Sequence, residues 1–153
     1  MFNQTTEYAL RAMACLAYQP EVMVPTSELA RLTKVPPNYL AKVLQELAGA
    51  DLIVGRRGVG GGYRLARQPG SIRLLDVINA ISRVERIRTC PLGLETHGPN
   101  LCPLHRRIDA AAEALIEIYG GVTLQDVVSD SNVAQRPLCD TGTSLRISAT
   151  SRR

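Results

Sequence analysis

The stretch SELARLTKVPPNYLAKVLQELAGADLIVGRRGVGGGYRLAR, residues 27–67, decides the fold. Its first half repeats apolar residues at helical spacing, which predicts one helix over residues 27–34 and a second over about residues 38–48. Proline lacks an amide hydrogen and restricts the residue before it, so Val35-Pro36-Pro37 must separate the two helices. Two short helices joined by so tight a turn are typical of a helix-turn-helix.

The second half of the same stretch predicts a β-hairpin. Residues 51–54 and 63–65 are predicted strands, and the loop between them, GRRGVGGG at residues 55–62, contains five glycines. Glycine permits positive backbone torsions and the close approach of another backbone. A glycine-rich loop also holds nucleotide phosphates, but this one lacks the Gly-Lys-Ser/Thr of a P-loop and does not lead from a strand into a helix. The pattern therefore favours a β-wing directly after the helix-turn-helix.

Helical patterns also precede the hairpin. Thr5 or Thr6 is the expected cap of a first helix, and Thr26 or Ser27 is the expected cap of the next one. The chain has no Trp and one Phe, so we expect a core of Leu, Ile, Val and Ala. The predicted fold class is mostly α with a small β-wing.

The formal net charge of +4 is unevenly distributed along the chain. Residues 136–153 contribute +3 of it, whereas residues 1–135 carry 14 basic and 13 acidic side chains. Between Leu52 and Leu75, however, there are five arginines and no acidic residue. Contacts to nucleic-acid phosphates need a local basic stripe of this kind, although an ordinary solvated surface has the same composition.

No part of the sequence resembles a membrane-targeting segment. A run of about 18 apolar residues is missing, which predicts that the chain does not span a membrane. The first residues, MFNQTTEYALRAM, lack the basic segment and apolar segment of a secretory signal. We therefore expect a cytoplasmic protein with no membrane partner.

The order of these motifs resembles the IscR/NsrR/CymR (Rrf-type) family of winged helix-turn-helix transcriptional regulators. The resemblance covers about residues 1–130 and is carried by TTEYALRAMACLA, SELARLTKVPPNYLAKVLQELAGADLI, GRRGVGGGYRLAR and IRLLDVINAI. It implies a sequence-specific DNA-binding regulator, expected to be a repressor, and not an enzyme. It also implies a homodimer on a palindromic operator of double-stranded DNA. A long C-terminal dimerisation helix, Leu104–Tyr119, would cross its partner, and residues 123–130 would form a short closing helix.

Six side chains are candidates for DNA contact. Four of them lie on the face of the second helix-turn-helix helix that points away from its apolar side: Asn38, Tyr39, Lys42 and Gln45. Asparagine and glutamine read adenine edges, lysine reaches guanine or phosphate, and tyrosine bonds phosphate. Arg56 and Arg57 at the wing tip are expected in the minor groove or on its phosphates. Packing between helices is an equally open interpretation of Tyr39.

The segment that follows residue 83 concentrates side chains that bind metals. Cys-Pro-Leu triplets begin at Cys90 and at Cys102, with His97 between them and His105 after them. Because cytosolic proteins rarely keep a disulfide, this pair of cysteines suggests metal or redox chemistry. Cys102 and His105 are three residues apart at a predicted helix start, so both side chains can reach one metal.

The family resemblance assigns a cofactor to this segment. Its cluster-binding members hold an iron–sulfur cluster with three cysteines and a variable fourth ligand. That ligand is a histidine three residues after the last cysteine, or an acid from the first helix of the partner subunit. Cys90 and Cys102 match the first and last cysteines, and His105 matches that histidine. Glu7 matches the position of the acid.

This chain departs from the family pattern at the middle cysteine, near whose place stand Thr96 and His97. Two thiolates with His105 and either His97 or Glu7 suit a two-iron [2Fe-2S] cluster and are poor ligands for a four-iron cluster. Zinc accepts two Cys and two His as well. The loop would be merely structural in a clusterless regulator that responds to a small molecule or a partner protein. Glu7 also has an ordinary role as a first-turn acid that the helix dipole favours.

The predicted organisation has four parts. They are a winged helix-turn-helix domain over residues 1–82, a Cys/His sensor loop over 83–103, dimerisation and closing helices over 104–134, and a disordered tail over 135–153. Cys15 is expected to be a small buried residue of the first helix, whereas Cys139 in the tail has no assigned role. Gain, loss or oxidation of the cluster is expected to change operator affinity by shifting the winged domain against the dimerisation helix.

Two other classes of function remain open. The first is a winged-helix module for protein assembly that does not bind DNA, which a low salt dependence of DNA binding would favour. The second is a metal-dependent hydrolase that uses the Cys/His loop. The sequence shows no carboxylate pair and no nucleophile–base constellation that would support catalysis.

Overall fold

The computed structural model describes residues 2–97, 99–130 and 138–140. Its helices and strands follow in the order α1 (Gln4–Ala17), α2 (Thr26–Thr33), α3 (Pro37–Gly49), β1 (Ile53–Arg56), β2 (Gly62–Leu65), α4 (Leu74–Ile81), α5 (Pro103–Gly120) and α6 (Leu124–Val128). Short 3₁₀ turns occur at Pro69–Ser71 and Glu95–His97. The predicted fold class, mostly α with a small wing, is confirmed.

The helix-turn-helix forms where the prolines predict it. Lys34 ends α2 in the left-handed conformation, with φ of 57°, and Pro37 opens α3 at a position where its missing amide hydrogen costs nothing. The buried side of α3 carries Leu40, Val43, Leu44 and Leu47. The opposite side of the helix is therefore left to solvent.

The expected helix caps are wrong in detail, because both helices begin earlier than the sequence pattern indicates. Asn3 caps α1: its side-chain oxygen accepts hydrogen bonds from the backbone N–H of Thr6 at 2.8 Å and from the Thr6 hydroxyl at 2.9 Å. Helix α2 has no side-chain cap, since Thr26 is already its first residue and Pro25 precedes it.

The wing is an antiparallel hairpin in which Ile53 pairs with Leu65 and Arg56 pairs with Gly62. Val24, just before α2, adds a bridge to Tyr63 through two backbone hydrogen bonds of 2.9 Å. Gly62 has φ of +139°, and a Cβ built on it would lie 2.2 Å from the carbonyl oxygen of Val24. Glycine is therefore required at the point where the hairpin joins the helical core.

The core lies between α1, α3 and α4, and α6 closes its end. Met13 and Leu16 of α1 are fully buried, as is Leu44 of α3. Thr123 caps α6 through a reciprocal pair of hydrogen bonds with Asp126, and Leu124 is buried beneath it. Helix α5 differs from the rest, because none of its 18 residues is buried.

The predicted tail is described only at residues 138–140, and there it packs against the domain. The backbone N–H of Leu138 donates to the Tyr18 hydroxyl at 3.2 Å, and that of Asp140 donates to the Leu32 carbonyl at 2.7 Å. Residues 131–137 and 141–153, which the sequence assigns mainly to the disordered tail, lie outside the described residues. No helix in the described part of the chain is long and apolar enough to cross a membrane.

Candidate metal centre and nucleic-acid interface

The outer face of α3 presents all four of the predicted DNA-contacting side chains to solvent: Asn38, Tyr39, Lys42 and Gln45. Tyr39 is 55 % exposed, yet its ring also packs edge-on against Tyr8 of α1, with 6.3 Å between ring centroids. Arg11 in turn lies 5.5 Å from the Tyr8 ring centroid. Tyr39 is thus partly supported by packing while its outer part stays accessible.

The two arginines of the wing differ in their contacts. Arg56 is exposed, and its guanidinium donates to the Gly60 carbonyl at 2.9 Å, which ties it to the wing's own loop. Arg57 is exposed next to it at the tip of the hairpin. The wing therefore presents two cations on the molecular surface, one of them held by the loop backbone.

The local fold around α5 explains how Cys102 and His105 come together. Cys102 is the N-cap of α5, and its sulfur accepts a hydrogen bond from the backbone N–H of His105 at 3.5 Å. Pro103 follows at the first helical position, which fixes the start of the helix. Because His105 lies one turn into the helix, its ring returns over Cys102, with Nδ1 3.2 Å from the Cys102 sulfur.

The loop after α4 brings Cys90 to the same place. Its sulfur lies 3.6 Å from Nδ1 of His105, and the ligand atoms of Cys90, Cys102 and His105 all lie within 4.8 Å of one another. His97 approaches from the 3₁₀ turn, with Nδ1 3.2 Å from the Cys90 sulfur. Three of the four Cys and His candidates from the sequence thus converge on one cluster, and His97 contacts it through Cys90 alone.

The environment of Cys90 favours its thiolate. Hydrogen bonds from the backbone of Cys102 and then Leu92, together with the ring of His97, lower the pKa of the Cys90 thiol to about 6, although burial opposes this. Cys90 is 5 % exposed. Thiolates are the form in which cysteine binds metals, so the Cys90 sulfur is prepared as a ligand at neutral pH.

Glu7 is engaged elsewhere in the monomer. It forms a two-oxygen ion pair with Arg11, one turn along α1, at 2.7 Å. Arg11 also donates to the Thr33 carbonyl at 3.0 Å, which links α1 to the end of α2. Glu7 therefore matches its ordinary role as a first-turn acid, and its expected role as a ligand for the partner's cluster stays a prediction.

Sequence reasoning missed a clamp that holds the Cys90 loop on α5. The Arg86 guanidinium makes two hydrogen bonds of 2.6 Å to the two carboxylate oxygens of Asp109, and the backbone N–H of Ile87 donates to the same carboxylate at 2.8 Å. Arg86 also pairs with Glu113 at 2.5 Å. The hydrogen bonds from Arg86 hold the pKa of Asp109 at about 2.

This clamp holds the loop that carries Cys90 against the helix that carries His105. Arg86 lies four residues before Cys90, and Asp109 lies four residues after His105, one turn further along the same helix. The one sequence signal for it was the presence of an arginine and an aspartate flanking the Cys/His segment, which is too common a pattern to single out. The pairing across 23 residues becomes visible only in three dimensions.

The three donors Cys90, Cys102 and His105 have a spacing close to that of three ligands on a single metal ion. Zinc binds sulfur at about 2.3 Å and histidine nitrogen at about 2.0–2.1 Å, so four tetrahedral ligand atoms sit roughly 3.5 Å apart. The 3.2 Å and 3.6 Å separations around His105 Nδ1 have this spacing. Two thiolates with two imidazoles are also ligands of two-iron clusters, for which the ligand atoms would have to separate into two pairs.

Comparisons with known proteins place the chain in a family. A family model described as "Rrf2: Iron-dependent Transcriptional regulator" matches residues 2–130. A relative in Aquifex aeolicus, named as an HTH-type transcriptional regulator, is 28 % identical over 132 residues, which are 84 % of this chain and 92 % of that protein.

Solved structures show the same fold. The structure of CymR (YrzC), the global cysteine regulator of B. subtilis, superposes with a TM-score of 0.69 at 24 % identity, over 84 % of this chain and 96 % of that one. IscR of T. potens superposes with a TM-score of 0.71 at 24 % identity, over 88 % and 90 %. The fold prediction of a winged helix-turn-helix is confirmed by both.

The family model identifies the kind of protein. Members of this family are transcriptional regulators and not enzymes, and regulation of transcription implies binding to DNA. The Cys/His cluster lies within the matched residues 2–130. The chain belongs to the Rrf2 family of transcriptional regulators.

Proposed function

We propose that the chain is a homodimeric, cytoplasmic repressor whose affinity for a palindromic operator depends on a metal centre at Cys90, His97, Cys102 and His105. The observation that carries this proposal is the convergence of the ligand atoms of Cys90, Cys102 and His105 within 4.8 Å. The prepared thiolate of Cys90 supports it, as does the iron dependence in the description of the family model.

The nucleic-acid interface combines α3 with the wing. Asn38 and Gln45 would read base edges from the exposed face of α3, Lys42 would reach a guanine or a phosphate, and Tyr39 would bond a phosphate. Arg56 and Arg57 would reach the minor groove beside it. A two-fold dimer would repeat this pair of elements on the second half-site one helical turn away.

A largely exposed apolar stripe on α5 supports the homodimer. The helix carries apolar residues at alternating spacings of four and three: Leu104, Ile108, Ala111, Leu115 and Ile118. Three of them are strongly exposed, namely Leu104 at 63 %, Ile108 at 46 % and Ile118 at 60 %. This spacing keeps one stripe facing a neighbouring helix over the whole length, as in coiled coils. A second copy of α5 is the natural occupant, since a two-fold axis matches the stripe with itself.

The two thiolates and His105 are ligands of types that a [2Fe-2S] cluster accepts, with His97 proposed as the in-chain fourth ligand and Glu7 of the other subunit as the alternative. When bound, such a cluster would supply a redox-active group at this site. Cys90 would bind from the loop, whereas Cys102 and His105 would bind from the start of α5. Binding would therefore fix the loop that follows α4 relative to α5, and would thereby bias the position of the winged domain against the proposed dimerisation helix.

Zinc is the second candidate, and the compactness of the cluster favours it. The short distances between the sulfur atoms and His105 Nδ1 suit one ion better than two separated irons. A zinc site would make the loop a structural element or a thiol sensor, and the DNA-binding proposal would be unchanged.

The deciding experiment is anaerobic purification followed by a visible absorption spectrum and iron, sulfide and zinc analysis. We expect charge-transfer bands with matching iron and sulfide, both lost in Cys90→Ala and retained in the matched control Cys15→Ala. Operator affinity, on a duplex selected from random sequences, is then measured with and without the metal centre. Equal affinity in both states would refute sensing at this site, and a protein with neither iron nor zinc would indicate a clusterless regulator.

A further inference from the structure

Arg11 of α1 is held in one orientation by four hydrogen bonds, although its side chain is 33 % exposed. Its Nη2 donates to both carboxylate oxygens of Glu7 at 2.7 Å, and its Nε adds a bond of 3.1 Å to the same carboxylate. Its Nη1 donates to the Thr33 carbonyl at 3.0 Å. The planar guanidinium thus bridges α1 and α2 with its whole fork of donors.

The Thr33 carbonyl lies where α2 ends and the turn of the helix-turn-helix begins. The last carbonyls of a helix have no partner within the helix, so Arg11 supplies a donor that the helix itself lacks. Thr33 is 2 % exposed, and its hydroxyl donates to the Leu29 carbonyl at 2.7 Å. Lys34 follows in the left-handed conformation. Arg11 therefore fixes the backbone from which the chain enters α3.

The same guanidinium reaches α3 by a second route, through two tyrosine rings. It lies 5.5 Å from the centroid of the Tyr8 ring, within the range of about 6 Å over which a cation is attracted to an aromatic face. Tyr8 is 9 % exposed, and its ring meets that of Tyr39 edge-on, with 6.3 Å between centroids. Tyr39 is the third residue of α3 and is 55 % exposed. Its ring therefore rests on a support that Arg11 holds.

We propose that Arg11 is a positioning residue for DNA binding, which holds the first turn of α3 and the Tyr39 ring in the orientation at which the Tyr39 hydroxyl meets a backbone phosphate. This inference rests on the proposed DNA-binding face of α3. Arg11 acts through its contacts within the protein, with Glu7, Thr33 and Tyr8, and does not itself meet a phosphate. A side chain that is oriented before binding loses less conformational freedom when it binds, and this strengthens the contact.

The first test is a double-mutant cycle between Arg11→Met and Tyr39→Phe, read as affinity for the operator duplex selected from random sequences. Tyr39→Phe keeps the ring and removes only the hydroxyl, so we expect binding to weaken about tenfold. Arg11→Met should weaken wild-type binding about fivefold or more, but binding of Tyr39→Phe by less than about twofold. Equal fold-losses in both backgrounds would overturn the proposal, because an effect of the released Glu7 charge does not depend on the Tyr39 hydroxyl.

The salt dependence of binding separates positioning from direct contact. A cation that neutralises one phosphate contributes about 1 to the slope of log affinity against log salt. Arg11→Met should therefore weaken binding while it keeps the wild-type slope. Arg83→Met is the matched control, because it removes the same charge from an exposed ion pair, with Glu85 at 3.4 Å, and should keep both affinity and slope. A slope lower by about 1 in Arg11→Met would make Arg11 a phosphate contact and overturn the positioning role.

Arg11→Lys separates the geometry of the fork from its charge. Lysine keeps the charge and can pair with Glu7, but one ammonium cannot reach Glu7 and the Thr33 carbonyl as the planar fork does. We expect Arg11→Lys to bind as weakly as Arg11→Met, and full wild-type affinity would overturn the proposal. Circular dichroism checks that each variant is folded, and the cycle with Tyr39→Phe is repeated with Arg11→Lys if Arg11→Met unfolds.

Failure of the proposed DNA-binding face would give a different pattern from failure of this inference. If Tyr39→Phe and Lys42→Ala both bind DNA like wild type, α3 does not face DNA, and the positioning role is refuted together with the interface. If these two variants weaken binding while Arg11→Met binds like wild type, the interface stands and only the role of Arg11 is refuted.

Discussion

Gly62 shows how a single residue fixes the wing to the helical core. Its positive φ and the approach of the Val24 carbonyl, 2.2 Å from where a Cβ would lie, leave no room for a side chain. We expect Gly62→Ala to destabilise the domain by about 2–3 kcal/mol, because backbone would have to move against backbone. Urea unfolding measures this loss.

Gly49 is the matched control for that substitution. It ends α3, and apart from its own helix backbone no atom of the described residues lies within 4 Å of the place that a Cβ would occupy. Gly49→Ala is therefore expected to leave stability unchanged or raise it by up to about 1 kcal/mol. Equal stability of the two variants would mean that the Val24 backbone can move away from the hairpin without a loss of stability.

Lys42 tests the nucleic-acid face of α3. A lysine that neutralises one phosphate releases about one counterion, so Lys42→Ala should reduce the slope of log affinity against log salt by about 1 on a random-sequence duplex. Arg107→Ala, an exposed cation of α5 outside the proposed interface, should leave the slope unchanged. If both variants keep the wild-type slope, α3 does not meet the phosphate backbone through Lys42.

At the scale of elements, the clamp between the Cys90 loop and α5 makes a prediction about pH. The hydrogen bonds from Arg86 hold the pKa of Asp109 at about 2, below the value of about 3.9 expected in the unfolded chain. A depressed pKa adds stability that is complete above the unfolded value and disappears as pH falls through the folded value. The free energy of unfolding, measured with urea on the metal-free proteins, should therefore be higher for wild type than for Asp109→Asn. We expect this difference to stay constant from pH 7 to about pH 5 and to shrink below about pH 4.

Glu113→Gln is the control for the clamp, because Glu113 meets the same arginine but its side chain is 61 % exposed, against 14 % for Asp109. Exposed ion pairs contribute little to stability, so the free energy of unfolding of this variant should be close to that of wild type at every pH. A difference for Asp109→Asn that stays constant down to pH 3 would show that its carboxylate is not held in its charged form by Arg86.

The elements also show what a sequence can and cannot predict. The helix-turn-helix, the wing and the Cys/His segment were predicted because apolar periodicity, prolines and short spacings are local signals. The N-caps were wrong, since a cap depends on the backbone path before the helix, as with Asn3. The Arg86–Asp109 clamp and the contact of Leu138 with Tyr18, 120 residues apart, have no local signal and follow from packing alone.

For the whole molecule, α5 raises the question of what covers an amphipathic helix that buries none of its own residues. The stripe from Leu104 to Ile118 is too regular for a solvated face, because every fourth or third position is apolar over four turns. Pairing with a second α5 would also set the separation of the two helix-turn-helix units, and thus the spacing of the DNA half-sites.

Ile108→Glu tests this assembly. Ile108 lies within the stripe and is 46 % exposed in the monomer, so a carboxylate there would be brought against its own copy near the two-fold axis of a dimer. We expect dimer dissociation to increase by at least about 100-fold, measured by sedimentation equilibrium, and operator binding to weaken with it. Ala110→Glu, which adds the same charge at an exposed position off the stripe, should remain dimeric. If Ile108→Glu dimerises like wild type, the stripe is covered by something other than a second copy, and the two helix-turn-helix units must be spaced by another surface.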